Sequence, residues 1–243
     1  MDWTDDGIVL SARKHGETSA VVTLMTRDHG SHAGLVRGGS GSRARGIYQP
    51  GNLVRARWSA RLAEHLGTYT CELTRALAAD LLRAKLPLLA LSAATAMTEV
   101  TLPEREPHPS VFDGLAALLD ALVKPDWQAA YVRWELALLS ELGFGLDLTA
   151  CAATGGQDDL IYVSPRTGRA VSGKAGAPYH DRMLALPGFL LAFGGAGADT
   201  CAAMDDVTAG LALTGHFLIH HVFRPDDREL PVARERLVEG LGR

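Results

Sequence analysis

The feature that most constrains the fold is a change of hydrophobic period close to Glu72. Before it, apolar residues alternate with polar ones; after it they recur every three to four positions. Five short segments, Ile8–Ser11, Ala20–Thr26, Ser31–Arg37, Leu53–Ser59 and Gly67–Leu73, are rich in Val, Leu, Thr or aromatic residues and read as strands. Turn signals separate them at His15-Gly16-Glu17, Asp28-His29-Gly30 and Gln49-Pro50-Gly51-Asn52, and Gly38-Gly39-Ser40-Gly41-Ser42 opens a longer flexible loop. Five strands in so short a stretch suit a small closed barrel such as the OB-fold, with an SH3-like barrel as the alternative.

The helical part starts at Leu77, Leu81 and Leu82. Pro87 opens a helix carrying Leu88, Leu91 and Met97, which Pro103, Pro107 and Pro109 bring to an end. Ser110 is the expected N-cap of the next, striped with Val111, Leu115, Leu118 and Leu122. Pro125-Asp126 begins another with Trp127, Tyr131, Trp134, Leu138 and Leu142. Residues 147–200 are Gly-rich and read as a loop-dominated insertion with one strand, Leu160–Val163. A helix from Asp206 to Val222 and a charged tail helix, Pro231–Leu241, complete the chain. The expectation is a multi-domain α+β protein: a barrel over 1–78, a helical domain over 79–146 and 203–243, and an insertion over 147–202.

With 47% hydrophobic and 21% charged residues, the 243-residue chain falls among compact proteins rather than disordered ones. No run approaches the roughly 18 apolar residues of a membrane span, and the start, Met1-Asp2-Trp3-Thr4-Asp5-Asp6, is acidic where a secretory signal is basic. Cys71, Cys151 and Cys201 are far apart and odd in number, which points to free thiols in a reducing compartment. A cytoplasmic protein with no membrane partner is expected.

The net charge of -4 argues against general attraction to polyanions, so distribution decides. Residues 1–80 carry ten basic and eight acidic side chains, and residues 81–243 fourteen and twenty. Within the basic part, His29 to Ala63 contains Arg37, Arg43, Arg45, Arg55, Arg57 and Arg61 and no acid, with Tyr48 and Trp58 among them. Arginine forks bind phosphate, and aromatic rings provide stacking platforms for single strands. These eight residues are the candidate nucleic-acid contacts. The competing reading is a solvated surface whose acids come from elsewhere in the fold.

Other motifs fall short of chemistry. Cys151-Ala-Ala-Thr154 starts like a zinc ribbon, but Thr154, Ser172 and Ala175 stand where further thiolates belong, and His180 and Cys201 are poorly placed to replace them. Gly168 to Ala175 is one residue short of a P-loop and lacks its hydroxyl. His216 and His220, with His221 beside them, share a helix face but no glutamate follows His216, and Gly39-Ser-Gly41 has no third glycine. No G-x-S-x-G elbow occurs. The pairs Asp158-Asp159, Asp205-Asp206 and Asp226-Asp227 suit caps and turns. A non-enzymatic protein without metal or cofactor is expected.

An ordered series of motifs gives the chain a family resemblance. Gly7-Ile-Val-Leu10 is followed by Gly16-Glu17, then Leu24-Met-Thr26 with Gly30, then Arg37-Gly38 leading through Ser42-Arg43 to Gln49-Pro50. Further on come Trp134-Glu135-Leu136, Leu142-Gly143-Phe144, Asp147-Leu-Thr-Ala-Cys151 and Ser164-Pro165-Arg-Thr-Gly168. Over nearly its full length the chain resembles the RecO family of bacterial recombination mediators. The resemblance implies an N-terminal OB-fold, a helical domain and a ribbon-like insertion, here degenerate because only Cys151 of the four-cysteine pattern remains. It also implies binding of single- and double-stranded DNA, annealing of complementary strands, and loading of RecA, with a RecR partner, onto DNA coated by single-strand-binding protein. Arg133, between Tyr131 and Trp134 in sequence, is nominated to meet the carboxylates of that protein's C-terminal tail. Association with the nucleoid follows from the same likeness. An RNA- or ribosome-associated OB module is the alternative.

Overall fold

The structure, a computed structural model, describes residues 1–191 and 202–242; Cys201 lies outside them. The chain forms two compact units, Met1–Val123 with Pro231–Leu237, and Lys124–Leu230 with Val238–Arg243.

The first unit holds five strands: β1 (Asp2–His15), β2 (Ser19–Thr26), β3 (Gly30–Val36), β4 (Leu53–Ser59) and β5 (Thr68–Arg75). They close into a barrel of order β1-β2-β3-β5-β4, which is the OB-fold rather than the SH3-like alternative. Strand β1 makes closure possible. Its first half pairs with β4, from Asp2↔Ser59 to Ile8↔Leu53, and its second half pairs with β2 as far as His15↔Ser19. The pairing register shifts between Val9 and Ser11, a bulge that turns the strand from one neighbour to the other. The expected Ile8–Ser11 was therefore too short, because the outer half of β1 carries polar and charged residues without strand signals.

Period-two alternation is clearest in β4, where Val54, Ala56 and Trp58 are buried and Arg55, Arg57 and Ser59 are exposed. The barrel core comprises Val9, Ala20, Val22, Leu24, Val36, Tyr48, Val54, Ala56, Trp58 and Tyr69. A short helix, α1 (Ser42–Ile47), follows the Gly/Ser segment, and α2 (Leu77–Asp80) follows β5. Helices α3 (Lys85–Thr101) and α4 (Pro109–Ala121) belong to the same unit. His108 occupies the N-cap position of α4, so Ser110 lies inside the helix rather than capping it; Pro109 takes the first turn, where its missing N–H is not needed. The connection between α3 and α4 packs on the barrel: Arg105 donates its backbone N–H to the Ser31 carbonyl at 2.7 Å. Gly30, at φ +67°, is required there, because a Cβ would sit 1.9 Å from the Glu106 carbonyl oxygen.

The second unit contains α5 (Trp127–Glu141), β6 (Leu160–Val163), β7 (Ala170–Ser172), α6 (Gly173–Gly176), β8 (Leu184–Ala185), α7 (Gly188–Leu191) and α8 (Met204–Phe217). A π-helical turn, Leu218–Phe223, extends α8; α9 (Val232–Leu241) is divided, as far as Leu237 in the first unit and from Val238 in the second. The expected loop-dominated insertion thus contains a three-stranded sheet of order β7-β6-β8. At three and two residues, β7 and β8 are too short for a hydrophobic alternation to register. Among the described residues, no helix is long and apolar enough to cross a membrane.

Candidate nucleic-acid interface

The barrel distributes the six arginines over three places. Arg37 follows β3, whose last residue Val36 pairs with Ala20, which in turn pairs with Lys14 near the C-terminal end of β1. Arg43 and Arg45 lie in α1 beside that end. Arg55 and Arg57 lie on the outer face of β4, and Arg61 follows β4 near the N-terminal end of β1, where Asp2 pairs with Ser59. The charges do not form one patch.

Two of the six are also neutralised. The β1–β4 register sets Asp6 opposite Arg55 and Thr4 opposite Arg57; Arg55 meets Asp6 at 2.9 Å and Arg57 meets Asp2 at 3.2 Å. Exposed pairs of this kind add little stability, but they cancel the field of the cation locally. The expectation that no carboxylate answers these arginines therefore fails for Arg55 and Arg57: the acids come from an adjacent strand remote in sequence. Arg37, Arg43, Arg45 and Arg61 have no ion pair among the described residues.

Tyr48 and Trp58 are not platforms. Trp58 is 2% exposed and donates Nε1–H to the Leu66 carbonyl at 3.0 Å, with its ring stacked on Trp3 and edge-on to His32. Tyr48 is 6% exposed and hydrogen-bonded with Cys71, whose thiol burial pushes up to about 11. Both side chains are core: Trp58 because the alternation that turns Arg55 and Arg57 outward turns it inward, and Tyr48 because the end of α1 packs it into the barrel core.

The same aromatic cluster makes the barrel pH-sensitive. Burial, aided by the charge of Arg105, pushes the His32 imidazole down to about 4 from an ordinary 6.5. As pH falls from about 6.5 towards about 4, the unfolded chain binds a proton that the folded barrel does not, so stability is lost across that window. In His32→Phe, the slope of urea midpoint against pH between those values is expected to flatten. An unchanged slope would show that other groups set it.

The loop carrying Arg37, Arg43 and Arg45 is held by hydrogen bonds rather than left flexible. The Ser40 amide donates to the Thr18 carbonyl at 3.0 Å and its hydroxyl donates to the Glu17 carbonyl at 3.1 Å, tying the loop to the β1–β2 hairpin. Asn52, 1% exposed, donates its amide to the Gly46 and Ile47 carbonyls at 2.9 and 3.1 Å and accepts the Ala78 N–H at 3.1 Å. Lys14, Glu17, Gly39, Ser40 and Arg45 line a surface cleft there, so one carboxylate shares it with the two cations. Lys14 was missed from sequence because it lies outside the arginine run, and only the hairpin pairing brings it to Arg45.

In the second unit, Arg133 is half-buried: its Nε and Nη2 donate to the Phe189 carbonyl at 3.4 and 3.2 Å, and its guanidinium lies 5.5 Å from that ring's centre. Tyr131 and Trp134, its sequence neighbours, are core. At the ribbon position, the Ser172 N–H reaches the Cys151 sulfur at 3.3 Å, and hydrogen bonds from the hydroxyls of Ser172 and Thr154 hold that thiol down at about 6. One thiol and two hydroxyls do not make a zinc donor set, so the residues present do not fit the metal. His216 and His220 stand with ring centres 4.4 Å apart, and among the described residues no group of three or more His, Cys, Asp or Glu is arranged to hold a metal.

Two family models match the chain, Recombination protein O N terminal over residues 1–77 and Recombination protein O C terminal over residues 87–230. The chain belongs to the RecO family. It is 57% identical to DNA repair protein RecO of Rhodospirillum centenum, over 98% of this chain and 94% of that one. It is 50% identical to the protein of the same name from Rhodospirillum rubrum, over 100% and 97%, and 52% identical to that of Phenylobacterium zucineum, over 99% and 98%. The resemblance read from the ordered motifs is thereby confirmed. In this RecO family member, Gly30 has a physical role in that series, since it admits the α3–α4 connection against the barrel.

Proposed function

We propose that this RecO family chain acts in DNA repair as a non-enzymatic, cytoplasmic, nucleoid-associated protein that binds single- and double-stranded DNA and anneals complementary strands. The observation that carries this reading is the set of cations at one end of the barrel, Lys14 on β1 with Arg37, Arg43 and Arg45 on a segment fixed by Ser40 and Asn52, none of them in an ion pair among the described residues. Cations held in this way bind phosphate without losing much loop entropy, and screening two backbones lets complementary strands approach. Arg61 contributes at the other end of the barrel, while Arg55 and Arg57 bind DNA only by giving up Asp6 and Asp2. The deciding experiment is annealing of complementary oligonucleotides by the wild type and by a variant with all four of the gathered cations replaced by Ala. Equal rates would overturn the reading.

With RecR, the protein assists loading of RecA onto DNA coated by single-strand-binding protein, and it holds the acidic tail of the latter through Arg133. The tail's carboxylates compete there with the Phe189 carbonyl for one guanidinium. Arg133→Ala is expected to weaken binding of a tail peptide by about tenfold or more, in line with loss of one charge-assisted hydrogen bond. Unchanged peptide affinity would remove Arg133 from the site.

A further inference from the structure

A pocket in the second unit is lined by Phe144, Gly145, Leu146, Arg166, Thr167, Gly168, Phe217 and His221. Its cavity of about 150 Å³ is smaller than the sites of drug-sized ligands and suits a single flat ring rather than a larger molecule. Three turns build it. Phe144 follows the end of α5, where its N–H returns to the Leu139 carbonyl at 2.8 Å; Arg166 to Gly168 form the β6–β7 turn; and Phe217 and His221 come from the end of α8 and the π-helical turn. The Asp147 N–H donates to the Gly168 carbonyl at 3.0 Å, joining the first two turns.

The walls have one chemical character. Phe217 is buried and stacks on His221 with ring centres 5.7 Å apart and planes 13° off parallel. His221 in turn lies 5.4 Å from Phe144, at 31°. The ladder rises from a buried ring to an exposed one, because Phe144 is 38% exposed. No carboxylate lines the pocket, and Arg166, at its rim, has no ion pair among the described residues. The nearby Asp147 is engaged by Thr149 at 2.6 Å and by Arg169 at 3.3 Å.

We infer that this pocket takes one nucleotide of a single strand, with the base continuing the Phe217–His221–Phe144 ladder and the phosphate on Arg166 and the Thr167 hydroxyl. A row of rings, near-parallel at its buried step and tilted 31° at its exposed one, can be extended by another flat π-system, and Arg166 beside it supplies the anion contact. A duplex cannot present an unstacked base, so the site discriminates single from double strands. The inference rests on the DNA-binding reading above and adds to it a contact point outside the barrel.

The test uses the full chain with a single-stranded oligonucleotide carrying 5-iodouracil, irradiated and mapped by peptide mass. Cross-links to Phe144 or His221 are expected, and Phe144→Ala with Arg166→Ala is expected to weaken single-strand binding about five- to tenfold while leaving duplex affinity unchanged. Arg166→Lys, which keeps the charge, is expected to recover part of the loss. Cross-links confined to the barrel, with single-strand affinity unchanged in the double variant, would overturn the pocket and leave the DNA-binding reading standing. No cross-link anywhere and no measurable affinity would remove both. Loss of binding to the acidic tail peptide of single-strand-binding protein in the double variant, with DNA affinity unchanged, would assign the pocket to protein and reject the nucleotide.

Discussion

Replacing Lys14, Arg37, Arg43 and Arg45 together by Ala is expected to weaken single-strand binding on the order of 50-fold near 0.1 M salt. The plot of log affinity against log salt is expected to become shallower by about 3, since each single-strand phosphate contact contributes roughly 0.7 to its slope. The expectation follows from pairing, not from counting arginines. Among the described residues none of these four cations is in an ion pair, although Glu17 lines the cleft of Lys14 and Arg45, whereas Arg55 and Arg57 are already answered by Asp6 and Asp2. A charge-neutral control separates the two groups. Deleting both pairs, with Asp2, Asp6, Arg55 and Arg57 all changed to Ala, is expected to shift DNA affinity by no more than about twofold, because a cation and its counter-charge leave together. If the control weakens binding as much as the four-cation variant, the strand face is the interface and the barrel end is not.

Trp58→Ala is expected to lower stability by about 3–5 kcal/mol, the usual effect of removing a large buried ring. The melting temperature of the first unit should fall on the order of 10–15 °C. At a temperature where the variant remains folded, its single-strand affinity should stay within about twofold of wild type. The reason is burial: Trp58 packs on Trp3 and His32, and its one polar atom is spent on the Leu66 carbonyl. Should Trp58→Ala fail to fold, Trp58→Phe keeps a ring in place and loses the Nε1 donor and part of the indole's volume, a smaller change of about 1–3 kcal/mol. A stable variant with strongly reduced DNA affinity would restore Trp58 as a stacking platform.

Both expectations turn on a difference between what alternation reveals and what register reveals. The pattern of β4 shows that Arg55, Arg57 and Trp58 cannot share a face, and taken strictly it already excludes Trp58 from a surface built on the two arginines. The partners of those arginines are another matter. Asp2 and Asp6 lie about fifty residues upstream, and only the β1–β4 pairing brings them alongside. The candidate site was legible in part for the same reason. Arg37, Arg43 and Arg45 are visible as a basic run, but Lys14 joins them only through the β1–β2 hairpin, and the ordering of their loop depends on Ser40 and Asn52 reaching across to other segments.

The sequence by itself determined the α+β class, the five-strand barrel ahead of the helices, the span of α5 and the family, because each of these is written in local periodicity or in an ordered series of motifs. Tertiary structure decided which charges are free, which aromatics are core, that the Gly-rich segment contains a small sheet, and that Phe144, Arg166, Phe217 and His221 line one pocket. Periodicity follows from backbone geometry within a few residues, whereas charge neutralisation and pocket formation depend on residues that only strand register and chain folding bring together.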